Sequence, residues 1–130
     1  RTLEDYSDYV EIARNAGAGE TLDRIIPEIY NEAMFPGTAM LYSFPSYVYS
    51  LWQEYSVEEL EYIASFCKEK GIPAATVYWE YWSEETEKIF EKNGISLYVY
   101  TVNDRDQARR YISQGAEGIC TDFLTAEDLW

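Results

Sequence analysis

In the C-terminal half of the chain, apolar residues come in short continuous runs, each followed by a stretch in which they recur every three or four positions. Runs at 74–79, 96–103 and 117–122 lead into helical spacing at 83–93, 104–114 and 125–130. A short buried strand feeding an amphipathic helix, repeated in series, predicts parallel β/α architecture. Ligands of such folds sit where the strands end.

Cap chemistry sharpens the helix predictions. Over 56–70, Ser56 and Glu59 have capping-box spacing, Val57, Leu60, Ile63, Ala64 and Cys67 share one stripe, and Gly71 and Pro73 stop the helix. Over 83–93, Glu84 and Glu85 come early, Lys88 and Lys92 late, and Gly94 follows, an order that suits the helix dipole. Asp104 with Gln107 caps the next helix, where Ala108, Tyr111 and Ile112 face inward and Gly115 closes.

The N-terminal half is less regular. Leu3, Tyr6, Val10 and Ala13 predict a helix over 2–15, capped by Thr2 with Asp5 and ended by Gly17-Ala18-Gly19. Residues 24–30 read as a buried strand, with Ile25, Ile26 and Ile29 giving bulk and Pro27 limiting its ladder bonds. Residues 31–35 read as a helical turn closed by Pro36-Gly37, and 38–44 as a second strand broken by Pro45-Ser46. The aromatics at 47–55 fit either a strand or a short helix.

Composition narrows the function classes. Apolar residues are 47% and aromatics 17% of the chain, enough for a packed core and against disorder. The formal net charge of −14 repels nucleic acid and anionic lipid, and nucleic acid is set aside as a partner. No run approaches the roughly 20 apolar residues of a membrane helix. The start at Arg1, without Met, is expected of a piece of a longer polypeptide. Cys67 and Cys120 have no metal-ligand spacing and read as core thiols.

Two motifs carry a family resemblance. Ser96-Leu97-Tyr98-Val99-Tyr100-Thr101-Val102-Asn103-Asp104, then Gly115-Ala116-Glu117-Gly118-Ile119-Cys120-Thr121-Asp122-Phe123 one helix later, resemble the last two β/α units of glycerophosphodiester phosphodiesterases. The stretches 24–34 and 71–79 resemble that family's barrel as well, so the likeness covers roughly residues 20–130. It implies an α/β fold of partial TIM-barrel type, with about five parallel strands and flanking helices. A complete eight-unit barrel needs about 250 residues, and this chain has 130. The chain is expected to be a single domain over 1–130, with 16–20 a junction or deletion. The rest of the barrel is expected from an N-terminal half or from a second copy in a homodimer.

The resemblance also marks what is missing. The family's chemistry uses a His-Arg-Gly motif, a second histidine, a Glu-x-Asp pair and a further Glu to hold a divalent cation, calcium or magnesium, and to move protons. This chain has no histidine, and no strand-borne Glu-x-Asp in the matching context. No residue of it is expected to be catalytic or a metal ligand.

Candidate ligand-binding residues lie at strand ends. Asn103 stands where the family places an Asn, and its amide can bond a phosphate or glycerol oxygen; with Asp104 it can equally make only the turn and helix cap. Tyr100 takes the place of a Trp common in the family, implying an aromatic wall beside the ligand or, failing that, core packing. Asp122, after Thr121, implies closure of the barrel near the phosphate end, or a structural carboxylate. Glu28 and Tyr30 end the Pro-x-Ile-Tyr segment, where Glu28 departs from the Gln of other members and can reach a glycerol hydroxyl or a cation. The aromatics from Tyr78 to Trp82 suit stacking on a sugar or polyol, or a core or subunit contact.

Two functions follow. One is a portion of a glycerophosphodiester phosphodiesterase-like protein, supplying one pocket wall for a glycerophosphodiester-type ligand and inactive alone. The other is a shortened, non-catalytic relative used for binding or assembly.

Overall fold

Reciprocal capping starts the chain's first helix in the computed structural model, which describes residues 2–130. Thr2 Oγ1 accepts from the Asp5 N–H at 3.2 Å, and the Asp5 carboxylate accepts from the Thr2 N–H at 2.7 Å. Helix α1 (Leu3–Asn15) then buries Tyr6 and Val10. The chain divides into two compact units, one ending at Ser50 and one running from Leu51 to Trp130.

In the first unit a 3-10 turn (Gly19–Arg24) leads to strand β1 (Glu28–Ile29), and helix α2 (Met34–Leu41) leads to strand β2 (Val48–Leu51). The two strands are parallel, with Glu28 opposite Val48 and Ile29 opposite Tyr49. Val10, Leu22 and Phe44 form a buried cluster against which Ala13, Ile25, Leu41, Tyr42 and Tyr47 pack.

Here the sequence reading needs correcting. Residues 38–44, expected as a strand, lie mostly in α2, and the second strand is β2, within the stretch that fitted either element. Pro36 sits in the first turn of α2, where a missing N–H leaves no bond unmade, so it does not break the helix. Gly37 lets α2 approach α1, since a Cβ there would stand 2.7 Å from Leu3 Cδ2. The strand expected over 24–30 shrinks to Glu28–Ile29, because the 3-10 turn takes Arg24 and Ile26 stays 58% exposed.

The second unit follows the predicted grammar. Helix α3 (Val57–Lys70), strand β3 (Ala74–Tyr78), helix α4 (Glu84–Lys92), strand β4 (Ser96–Tyr100), helix α5 (Arg105–Ser113), strand β5 (Gly118–Ile119) and helix α6 (Ala126–Leu129) alternate. Strands β3, β4 and β5 lie side by side in parallel, with Val77 opposite Val99 and Tyr98 opposite Gly118. The architecture is therefore α/β, parallel strands with flanking helices, as the strand-helix repetition implied.

Strand alternation gives the sheet of this unit two distinct faces. Ala75, Val77, Leu97 and Val99 are buried to 1% or less, the face closed by the apolar stripes of the helices, among them Ile63, Cys67 and Phe90. Thr76, Tyr78, Tyr98 and Tyr100 stand half-buried on the other. Val57 departs from its expected stripe at 44% exposed. The reading of both cysteines as core thiols holds for Cys67 alone: Cys120 falls just past β5 and is exposed. Among the described residues no helix is long and apolar enough to cross a membrane.

The Gly-x-x-Gly motif has a physical cause in this packing. Gly115 follows α5 with φ +110, a left-handed region that favours glycine, and a Cβ there would meet Glu87 Cγ at 3.1 Å. Gly118 lies directly under the Tyr98 ring, whose Cδ1 and Cε1 would be 2.8 Å from a Cβ. Any larger residue at 118 must push that ring aside.

Candidate functional site

Parallel pairing brings the C-terminal ends of β3, β4 and β5 to one edge of the second unit, and the polar residues just past β4 and β5 form a connected group. Asn103 is its hub. Its Nδ2 donates to Asp122 Oδ2 at 2.8 Å, while its Oδ1 accepts from Thr121 Oγ1 at 2.9 Å and from the Asp122 N–H at 3.0 Å. The same two segments are joined through the main chain, where the Val102 N–H donates to the Cys120 carbonyl at 3.0 Å. Asn103 thus fastens the end of β5 to the end of β4 and fixes the Asp122 carboxylate beside it.

The turn-and-cap alternative for this segment divides between two residues. Asp104 makes the helix cap, its Oδ1 accepting from the Gln107 N–H at 2.7 Å. Asn103 is left to reach across to β5. Its amide has a second N–H beyond the one given to Asp122, and both side chains are exposed.

Tyr100 ends β4 on the half-buried face, directly opposite Tyr78, with ring centroids 5.8 Å apart. The strand period therefore puts Tyr100 on the half-buried face, beside Tyr78, and not on the fully buried face of Val99. Tyr78 also touches Trp79 at 5.7 Å and Tyr81 at 5.8 Å, extending the wall into the turn after β3.

The first unit holds a second group. Glu28 Oε2 accepts from the Tyr30 hydroxyl at 2.9 Å, so the carboxylate has the partner its partial burial demands. Two residues beyond, Glu32 Oε1 accepts from the Tyr49 hydroxyl at 3.1 Å. Glu32 and Tyr49 carried no signal in the sequence, because their meeting depends on the β1–β2 register. Glu28 is held through its main chain as well. The Tyr6 hydroxyl donates to the Glu28 carbonyl and accepts from the Glu28 N–H, both at 2.8 Å.

Among the described residues no three Asp, Glu or Cys side chains gather as a ligand set for a metal ion, and the chain has no histidine. The residues present therefore do not fit the divalent cation implied by the resemblance. One carboxyl is perturbed away from this edge. Glu87, buried on α4 against Gly115, has its carboxyl pushed up to about 7 by desolvation and by the neighbouring Glu91 and Glu117, and its Oε2 has no hydrogen-bond partner.

The family model described as "Glycerophosphoryl diester phosphodiesterase family" matches residues 38–126. No curated protein matches. A candidate glycerophosphoryl diester phosphodiesterase from Silicibacter pomeroyi superposes with a TM-score of 0.69 at 16% identity, covering 93% of this chain and 41% of that one. A glycerophosphodiester phosphodiesterase from Parabacteroides distasonis superposes with a TM-score of 0.61 at 17% identity, covering 94% and 49%. A phosphodiesterase from Oleispira antarctica, solved with the product sn-glycerol-3-phosphate, gives a TM-score of 0.58 at 12% identity, covering 78% and 37%. The chain spans less than half the length of each of these structures.

Proposed function

The chain belongs to the glycerophosphoryl diester phosphodiesterase family, and on that premise we propose that it forms one wall of a pocket for a glycerophosphodiester-type ligand and hydrolyses nothing alone. The observation that carries this reading is the Asn103–Thr121–Asp122 group at the strand ends, beside the Tyr78–Tyr100 wall. In this role the remaining Asn103 N–H binds a ligand oxygen, and the tyrosine edges line the glycerol. On this reading the general acid and base groups, and the ligands of the calcium or magnesium ion of a complete member, lie outside this chain, which has no histidine and, among the described residues, no cluster of cation ligands.

Titrating the 15N-labelled chain with glycerophosphocholine tests the wall. Amide shifts are expected at 100–103 and 121–123, and no glycerol phosphate should form with calcium or magnesium present. A response confined to other amides would overturn the wall, and turnover by the chain alone would overturn its inactivity.

A second reading, assembly with another copy, is favoured by the exposure of Phe123 (69%), ahead of α6, and of Trp130 (78%), just past it. Sedimentation equilibrium is expected to give a mass of twice 15.2 kDa if these residues pack on a partner copy. A monomer at every concentration discards this reading.

A further inference from the structure

Between the turn after β3 and helix α5 lies an open groove of about 500 Å³ that includes neither Asn103 nor Asp122. That volume falls in the range of small-molecule sites, roughly 300–1,000 Å³. Its floor is Tyr111, 3% exposed, and its walls are Trp82, ring centroid 5.7 Å from Tyr111 in an edge arrangement, and Trp79, 36% exposed. We propose that this groove binds a neutral carbohydrate, one sugar ring lying on the exposed tryptophan surface.

The polar groups decide the ligand class. The Trp82 indole N–H donates to Gln114 Oε1 at 2.9 Å, and Gln107 Nε2 donates to the Tyr111 hydroxyl at 3.1 Å, which itself donates to the Trp79 carbonyl at 3.3 Å. These bonds hold the aromatic rings in place and leave an acceptor on Gln107 and a donor on Gln114, both residues that line the groove. Arg110 lies with its guanidinium carbon 5.3 Å from the centre of the Tyr111 ring. Among the described residues it makes no ion pair, in a chain with 24 acidic and 10 basic residues. Glu80 and Glu84 line the same groove.

Glu80, Glu84 and Arg110 give the groove charges of both signs, so charge alone favours neither a simple anion nor a simple cation. Sugar hydroxyls both donate and accept, and so can use donors and acceptors set around an aromatic surface. The positions 107, 110, 111 and 114 follow helical spacing, so one face of α5 supplies half the site.

Tryptophan emission of the whole chain should be followed on adding cellotetraose, maltotetraose or tri-N-acetylchitotriose at millimolar concentration, with phosphocholine and inorganic phosphate in parallel. At least one oligosaccharide is expected to give a saturable change, with affinity reduced about tenfold in both Trp79→Ala and Arg110→Met. Arg110 is exposed, so its replacement keeps the fold readable by circular dichroism even if Trp79→Ala perturbs it. The proposal is overturned if no oligosaccharide saturates, if Arg110→Met binds as the parent does, or if only phosphocholine or phosphate responds.

Discussion

Replacing Glu87 with Gln is expected to stabilise the chain by about 2 kcal/mol above pH 7 and to change little near pH 4.5. Helix α4 buries Glu87 with Thr86, Ile89 and Phe90, and its side chain packs on the backbone of Gly115. Burial disfavours the charged form, and Glu91 and Glu117 disfavour it further. The carboxyl therefore holds its proton in the folded state up to about pH 7, whereas the unfolded chain releases it near 4.5. Because the folded state binds the extra proton, this group's contribution to stability is fully present below 4.5 and is lost as pH rises toward 7. A full conversion of that shift at about 1.4 kcal/mol per pH unit overstates the loss where water reaches the carboxyl rim, which is why about 2 kcal/mol is expected. Gln keeps the volume and cannot ionise. Urea midpoints of both proteins from pH 4.5 to 8.5 measure the difference, and a gap that does not widen with pH would show that Glu87 titrates normally.

Tyr6→Phe is expected to destabilise the first unit by about 2 kcal/mol. The Val48 N–H bonds the Pro27 carbonyl, so the Glu28 N–H and carbonyl, one residue on, point to the opposite side of β1. The Tyr6 hydroxyl meets both there. Phe preserves the packing of this 3%-exposed ring and strips the pair of bonds, leaving two backbone groups to water or to nothing. Hydrogen exchange at the Glu28 amide should accelerate together with the fall in the urea midpoint. Unchanged exchange at that amide would show that the hydroxyl is dispensable.

Neither device could be read fully from the sequence, for different reasons. Glu87 stands three residues before Phe90, on the apolar side of its own helix, and that spacing was a readable warning of a buried acid. The Tyr6 contact joins residues 22 apart and needs the strand register first. Helices α3, α4 and α5 were legible because caps and apolar stripes agree in each. Helix α2 was not, because Pro36-Gly37 reads as a stop unless Pro36 is known to lie in a first turn and Gly37 under Leu3. At the candidate site, the motif spacing pointed to Asn103 and Asp122, but only pairing of β4 with β5 makes them neighbours. The sequence likewise left open which face Tyr100 takes, and Val99, fully buried beside it, puts Tyr100 on the half-buried one.

The hydroxyl on β1 has a bearing on how copies of this chain can grow into larger aggregates. A strand whose outward donor and acceptor are both occupied offers no template, so an incoming chain would first have to expel a ring that its own helix holds in place. Polymerisation through β1 is thereby suppressed in the native state. Pairing of a second copy there requires the Tyr6 hydroxyl to leave Glu28 first.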